Sequence, residues 1–311
     1  MTTAFYFVYC FAIFNSKLVF SNAVPIMGYR VQRAEPREFD FVVSISTKSE
    51  PGDYEEDHHV CGGALITTMH VLTAAHCKCE RPNTVDDYTV KVGHDLRNWE
   101  ANFSIASWQN FKKCCCALLK RQNTCYDIAV VTLTEDIRAK IARQVGLALL
   151  NYSPIEYLYN KSVTATGWGE KLNVEHPRYL QKAAMRTITR EECQRNIDNA
   201  PKVPGLDGNL RTRHILEDDI ICSNGNPVPG DAPYITLGNG DSGGPLIIEN
   251  NQIMAINQGS IPVEGPPYRA YEQSLHVVFS PYRKFIEDQL KGTEGQREMF
   301  GCFGTSSFLR L

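Results

Sequence analysis

From Glu38 onward, short runs rich in Val, Ile, Thr and aromatic residues alternate with clusters of Gly, Pro, Asn and Asp: FDFVVSIS, GGALIT, YTVKVG, IAVVTL, KSVTATGWG, GPLIIEN and QIMAINQG. Each run is long enough for one strand, and the clusters between them supply turns, so the spacing predicts a mostly antiparallel all-β protein. No long amphipathic helix is expected before Pro281–Leu290, where Pro281 suits a first helical turn and Tyr282, Phe285, Ile286 and Gln289 fall near one face. That helix is expected to pack against the last strand. The segment VGLALLNYSPIEYLYN around Leu150 lacks alternation and carries turn residues, which marks a connection between two β units. With 311 residues, 43% of them hydrophobic, the chain has apolar material for one large core or two modest ones.

The 32 Lys and Arg residues nearly balance 35 Asp and Glu, and no basic block is placed to follow a phosphate backbone. Nucleic-acid binding is disfavoured. The longest apolar run, Ala4 to Phe14, has eleven residues, whereas a helix crossing a bilayer takes about 20. Followed by NSKLVFSNA, it reads as a secretory signal cut after Ala23, although no Lys or Arg precedes it. A buried amino-terminal strand or helix is the competing reading. Cleavage there removes Cys10 and leaves ten of the eleven cysteines, an even number that fits full pairing in an oxidising, extracellular setting. The sequons Asn102-Phe103-Ser104, Asn151-Tyr152-Ser153 and Asn160-Lys161-Ser162 then become acceptors for sugar, the second weakened by Pro154.

Three segments carry chemistry together: Leu72-Thr73-Ala74-Ala75-His76-Cys77, Tyr126-Asp127-Ile128-Ala129-Val130 and Gly240-Asp241-Ser242-Gly243-Gly244-Pro245. A serine hydroxyl is a poor nucleophile at neutral pH unless an imidazole takes its proton, and the imidazole needs an acceptor to fix its tautomer. Ser242 is assigned as nucleophile, His76 as general base then acid, and Asp127 as the group that holds His76. Glycines around Ser242 permit a tight turn in which the N–H groups of Gly240 and Ser242 face a developing oxyanion, and a larger residue at Gly240 is expected to crowd it.

On these motifs, together with Cys61-Gly62-Gly63-Ala64-Leu65-Ile66 and Gly167-Trp168-Gly169, the chain resembles the chymotrypsin-like (trypsin-fold) serine protease family over roughly Ile26 to Leu290. The resemblance implies two six-stranded antiparallel β-barrels packed face to face with a C-terminal α-helix, and an active site in the cleft between the barrels. The organisation that follows is a signal at 1–23, a short propeptide at 24–25, a first barrel at 26–150, a second barrel with helix at 151–290, and a tail at 291–311. The resemblance also implies the disulfides Cys61–Cys77 and Cys193–Cys222. Two bridges common in the family are absent, since Gly238 stands at one cysteine position and Val163 and Ile248 occupy both halves of another. Cys79, Cys114, Cys115, Cys116, Cys125 and Cys302 stay unassigned. A zinc site among Cys77, Cys79 and the Cys114–Cys116 run is disfavoured because adjacent cysteines chelate one tetrahedral ion poorly, so no metal and no cofactor is predicted.

By the same resemblance a freed Ile26 pairs its α-ammonium with Asp241, which offsets the cost of burying that carboxylate. Pro25 rather than Arg or Lys precedes Ile26, so an aminodipeptidase acting on Val24-Pro25 is the expected route. Thr236 matches the base of the primary specificity pocket, with Asn257-Gln258-Gly259 as one wall and Gly259 leaving its entrance open. A neutral hydroxyl at the base favours uncharged substrate side chains. The expected activity is that of a secreted serine endopeptidase working as a monomer on protein or peptide substrates, subject to protein inhibitors. The competing reading is a catalytically silent homologue that binds partners through loops such as EPGDYEEDHH, although a solvated surface turn is the expected role of that segment. Esterase or lipase action is disfavoured by the motif order.

Overall fold

The computed structural model describes residues 31–48, 58–79, 84–112, 126–169, 177–199, 218–225, 235–249, 251–261 and 273–291. The signal segment, Ile26, Cys114, Cys115, Cys116, Cys125, Cys302 and the tail beyond Lys291 lie outside the described residues, as does the side chain of Cys79.

The strands are β1 (Gln32–Arg33), β2 (Val42–Thr47), β3 (His58–Leu65), β4 (His70–Thr73), β5 (Tyr88–Val92), β6 (Ala101–Asn110), β7 (Ala129–Leu133), β8 (Leu149–Leu150), β9 (Ser162–Gly167), β10 (Gln181–Ile188), β11 (Ile220–Gly225), β12 (Pro245–Ile247), β13 (Gln252–Ile261) and β14 (Gln273–Val278). The first barrel closes in the order β2-β3-β4-β7-β6-β5. Alternation in β6 sends Ala101, Phe103 and Ile105 inward and Asn102, Ser104 and Ala106 outward, as the two-residue period of a strand requires. The second barrel runs β9-β10-β11-β14-β13-β12 and returns to β9, again with antiparallel neighbours. Val163 lies in its apolar core and Ile248 packs against that core, so the absent bridge is replaced by apolar contact.

Two short strands tie the halves together. β1 pairs with β10, so the residues that precede the first barrel in sequence belong in space to the second sheet. β8, in the connecting segment, adds to β13 in parallel. Trp168 is fully buried, donates its indole N–H to the carbonyl of His94 at 3.4 Å, and packs its ring against Trp99 and His59. The backbone N–H groups of Leu96 and Leu180 cross between the barrels to the carbonyls of Arg178 and His94.

Helices differ from expectation in two places. A ten-residue helix, α2 (Arg190–Asn199), follows α1 (His76–Cys79) and interrupts the β pattern where no long helix is expected. Its signal is the Thr189-Arg190-Glu191-Glu192 start, for the Thr189 hydroxyl accepts the Glu192 N–H at 3.2 Å. Cys193 on α2 is bonded to Cys222 on β11, and Cys61 on β3 to Cys77 on α1, both as the resemblance implies. The C-terminal helix, α3 (Arg283–Gln289), starts after a 3₁₀ turn at Ser280–Tyr282 that takes up Pro281. Phe285 on α3 and Tyr282 before it meet Phe111 of the first barrel, and Tyr126 joins the same aromatic group beside Asp127. No helix among the described residues is long and apolar enough to cross a membrane.

Candidate active site

His76 opens α1, and Asp127 lies just before β7, 2% exposed. The two carboxylate oxygens of Asp127 take separate donors from His76: the backbone N–H at 2.8 Å and ring Nδ1 at 2.7 Å. Because an ionised carboxylate only accepts, Nδ1 carries the proton and Nε2 is left as the basic nitrogen. Burial pushes the Asp127 carboxyl up, but the charge and hydrogen bonds of His76, helped by the polar Gln258 side chain, outweigh it. The net effect holds Asp127 below the usual carboxylate range.

Ser242 sits on the loop between Leu237 and β12. Asp241 N–H closes a β-turn on the carbonyl of Gly238 at 3.1 Å, with Gly240 third in the turn at φ +94°. That position of a type II turn needs positive φ, so the backbone conformation by itself demands a glycine here. Gly243 has φ +77°, and a Cβ on it would stand 2.2 Å from Thr73 Oγ1 and 2.5 Å from the carbonyl of Gly62. The loop is also fastened to the His76 side of the cleft, because Gly62 N–H donates to the carbonyl of Ser242 at 2.8 Å. The Ser242 hydroxyl donates to the carbonyl of Gln258 at 3.2 Å.

Gln258 therefore lies by both ends of the constellation: its carbonyl accepts from the Ser242 hydroxyl, and its side chain helps to lower the Asp127 carboxyl. The sequence places it only in a pocket wall, and nothing local to Asn257-Gln258-Gly259 reveals its contact with Ser242. The sequence puts His59 at the end of a solvated acidic turn, yet it is 6% exposed on β3. Its Nε2 donates to the carbonyl of Gly240 at 2.9 Å, which leaves Nδ1 to accept from the Ser44 hydroxyl at 2.7 Å. The alternation of β3 just before Cys61 was the available clue.

A second buried chain supports the loop from behind. Asn257 donates its side-chain amide to the carbonyl of Asp241 at 3.1 Å, and its backbone exchanges bonds with Gly243 and Gly244. Its side-chain oxygen accepts from His276 Nδ1 at 3.0 Å, while His276 Nε2 accepts from the Ser223 hydroxyl at 2.7 Å. Burial pushes the His276 ring down to about 3, which keeps it neutral in this relay.

Asp241 is fully buried, and its two oxygens accept the N–H groups of Gly169 and Gly238, each at 2.8 Å. A Cβ on Gly167 or Gly169 would fall within 2.0 to 2.5 Å of that carboxylate, which explains both glycines of the Gly-Trp-Gly motif. Burial pushes the Asp241 carboxyl up to about 7. Thr236 is buried with its hydroxyl 3.4 Å from that of Ser274 on β14, and Leu237 N–H donates to Ser274. A Cβ on Gly259 would meet nothing within 4 Å, so that side is open. Cys61, His76 and Cys77 offer ligand atoms within 4.8 Å of one another, but the two sulfurs are bonded to each other and are not thiolates.

Two antiparallel barrels, one carrying a bonded histidine–aspartate pair and the other a glycine-bounded serine whose carbonyl the first holds through Gly62, define a serine-protease scaffold. The sequence profile of the trypsin family matches residues 29–280, and the chain belongs to that family. It is 32% identical over 172 residues to a venom serine protease of Polistes dominula, covering 51% of this chain and 55% of that one. It is 28% identical over 204 residues to the clotting factor G beta subunit of Tachypleus tridentatus, covering 61% of this chain and 58% of the relative. A trypsin of Phaedon cochleariae is 25% identical over 240 residues, with 75% of this chain and 79% of that one covered. The chain thus spans a little over half the length of the first two relatives.

Proposed function

We propose that the chain is a secreted serine endopeptidase that cleaves peptide bonds through an acyl-enzyme. The observation that carries this reading is the 2.7 Å bond from His76 Nδ1 to buried Asp127, with the Ser242 carbonyl held by Gly62 of β3, which the Cys61–Cys77 bridge ties to the His76 helix. Ser242 Oγ attacks the carbonyl carbon while His76 Nε2 takes its proton, and Asp127 stabilises the resulting imidazolium. The N–H groups of Gly240 and Ser242 receive the oxyanion. His76 then protonates the leaving amine, and a water activated by the same nitrogen releases the acyl group. Relatives described as a venom protease, a clotting factor subunit and a trypsin support an extracellular place of action.

Activation follows from Asp241. With Ile26 freed, its α-ammonium meets the buried carboxylate and keeps it ionised, which holds the Gly240 turn in its donating form. In the unprocessed chain the carboxyl titrates near 7, above its ordinary 3.8. Between those values the folded chain holds a proton that the unfolded chain has released, so stability falls as pH rises across that window. The full loss is on the order of 4 kcal/mol. Melting curves of the unprocessed protein against pH are expected to show this decline and Asp241→Asn to lack it; equal slopes would contradict the assignment.

Thr236 and Ser274 make a neutral, hydroxyl-lined base, and neither is hydrogen-bonded to an acidic side chain among the described residues. A guanidinium or ammonium buried there would lack a counter-charge, which costs several kcal/mol. Digestion of a peptide library by the processed enzyme, with Ser242→Ala as blank, tests activity and preference together. Cleavage after uncharged residues is expected. No cleavage would refute the endopeptidase reading, and dominant cleavage after Arg or Lys the pocket assignment.

A further inference from the structure

The three sequons occupy different surroundings in the fold. Asn151 is committed: its side-chain amide donates to Gln252 at 3.1 Å, its side-chain oxygen accepts Ser153 N–H at 2.8 Å, and Pro154 follows. Asn102 is exposed on β6, a paired strand whose carbonyl at that residue is taken by Lys140. Asn160, Lys161 and Ser162 are all exposed, in the turn that enters β9. Asn160 has φ +57°, a left-handed conformation that asparagine tolerates better than most residues. The backbone around it is tied down by Asn160 N–H to the Thr187 carbonyl at 3.1 Å and Lys161 N–H to the Thr187 hydroxyl at 2.9 Å. The Asn160 side chain makes no hydrogen bond among the described residues.

We propose that Asn160 is an N-glycosylation site, and that Asn151 is not. Its side-chain nitrogen displaces the lipid diphosphate from the anomeric carbon of a lipid-linked oligosaccharide. The nitrogen–carbon bond forms, the carbon–oxygen bond to diphosphate breaks, the amide proton leaves to base, and the lipid diphosphate departs. The sugar stands beside Tyr157, which is 70% exposed on the neighbouring turn, and screens that apolar surface. It does not obstruct the cleft. Six residues of nearly extended chain, about 20 Å, separate Asn160 from Gly167, the residue of β9 that abuts Asp241. The proposal rests on the export half of the function above and not on catalysis.

The test is expression of the full chain in insect cells, followed by peptide mapping of the secreted protein after amidase release of N-glycans in heavy-oxygen water. Heavy aspartate is expected at position 160 and unlabelled asparagine at 151. Ser162→Ala, which leaves the Asn160 turn intact, is expected to lose the glycan and keep the melting temperature and peptide hydrolysis. Ser162→Thr is expected to restore it. Secreted protein with unmodified Asn160, or a glycan on Asn151, overturns the proposal while leaving the export reading intact. Protein retained in the cytosol without sugar overturns both.

Discussion

Ser242→Ala is expected to lower kcat for peptide hydrolysis by about a millionfold, the size of loss seen when an acyl-transfer nucleophile of this kind is removed. The substitution takes away one hydroxyl and its 3.2 Å bond to the carbonyl of Gln258, while the glycine turns and the bonds of Asn257 to the loop stay in place. The stability change is therefore expected within about 1 kcal/mol. Peptide affinity should survive, because the removed atom forms a bond to substrate only as the reaction proceeds. Single-turnover assays read the loss, and a melting curve shows that the variant is folded. A variant that keeps more than roughly a thousandth of the activity would mean that another group attacks the peptide.

Asp127→Asn is expected to cost about 10⁴-fold in kcat with KM little changed. The carboxylate receives two donors from His76, one on each oxygen, at 2.8 and 2.7 Å. An amide offers one oxygen and one NH₂. If the oxygen keeps the backbone N–H, the NH₂ faces Nδ1, which must then accept, and the ring proton moves to Nε2. The nitrogen meant to take the Ser242 proton is then already protonated. Steady-state kinetics at neutral pH measure the effect, and a loss confined to KM would place Asp127 in binding rather than in orienting the imidazole.

The fold and much of the site were legible because their determinants are local. Strand alternation with turn residues between runs marks a mostly antiparallel all-β chain in two units, the pair of barrels follows from the family resemblance, and His76, Asp127 and Ser242 each stand in a short distinctive segment. Gly167, Gly169 and Gly243 could be singled out as glycines, while the reason for each became visible only in space, where a Cβ would strike Asp241 or Thr73. What stayed hidden is contact between remote positions. Gln258 takes the Ser242 hydroxyl on its carbonyl, His59 holds the Gly240 carbonyl, and the Ser223–His276–Asn257 relay braces the Ser242 loop. None has a sequence neighbour that advertises its partner. α2 had a local signal at Thr189 and Glu192, but the strength of the surrounding β pattern masked it. The placement of β1 in the second sheet is topological, and no periodicity in two residues reports it.

In the proposed mechanism His76 and Asp127 make Ser242 a nucleophile once Ile26 is freed. Labelling by a peptidyl phosphonate, with the modified peptide sequenced, measures it most directly on protein whose amino terminus has been sequenced. Stoichiometric label is expected on Ser242 of the processed form, little on the unprocessed form, and none on Ser242→Ala. Folded protein beginning at Ile26 that takes no label would contradict it.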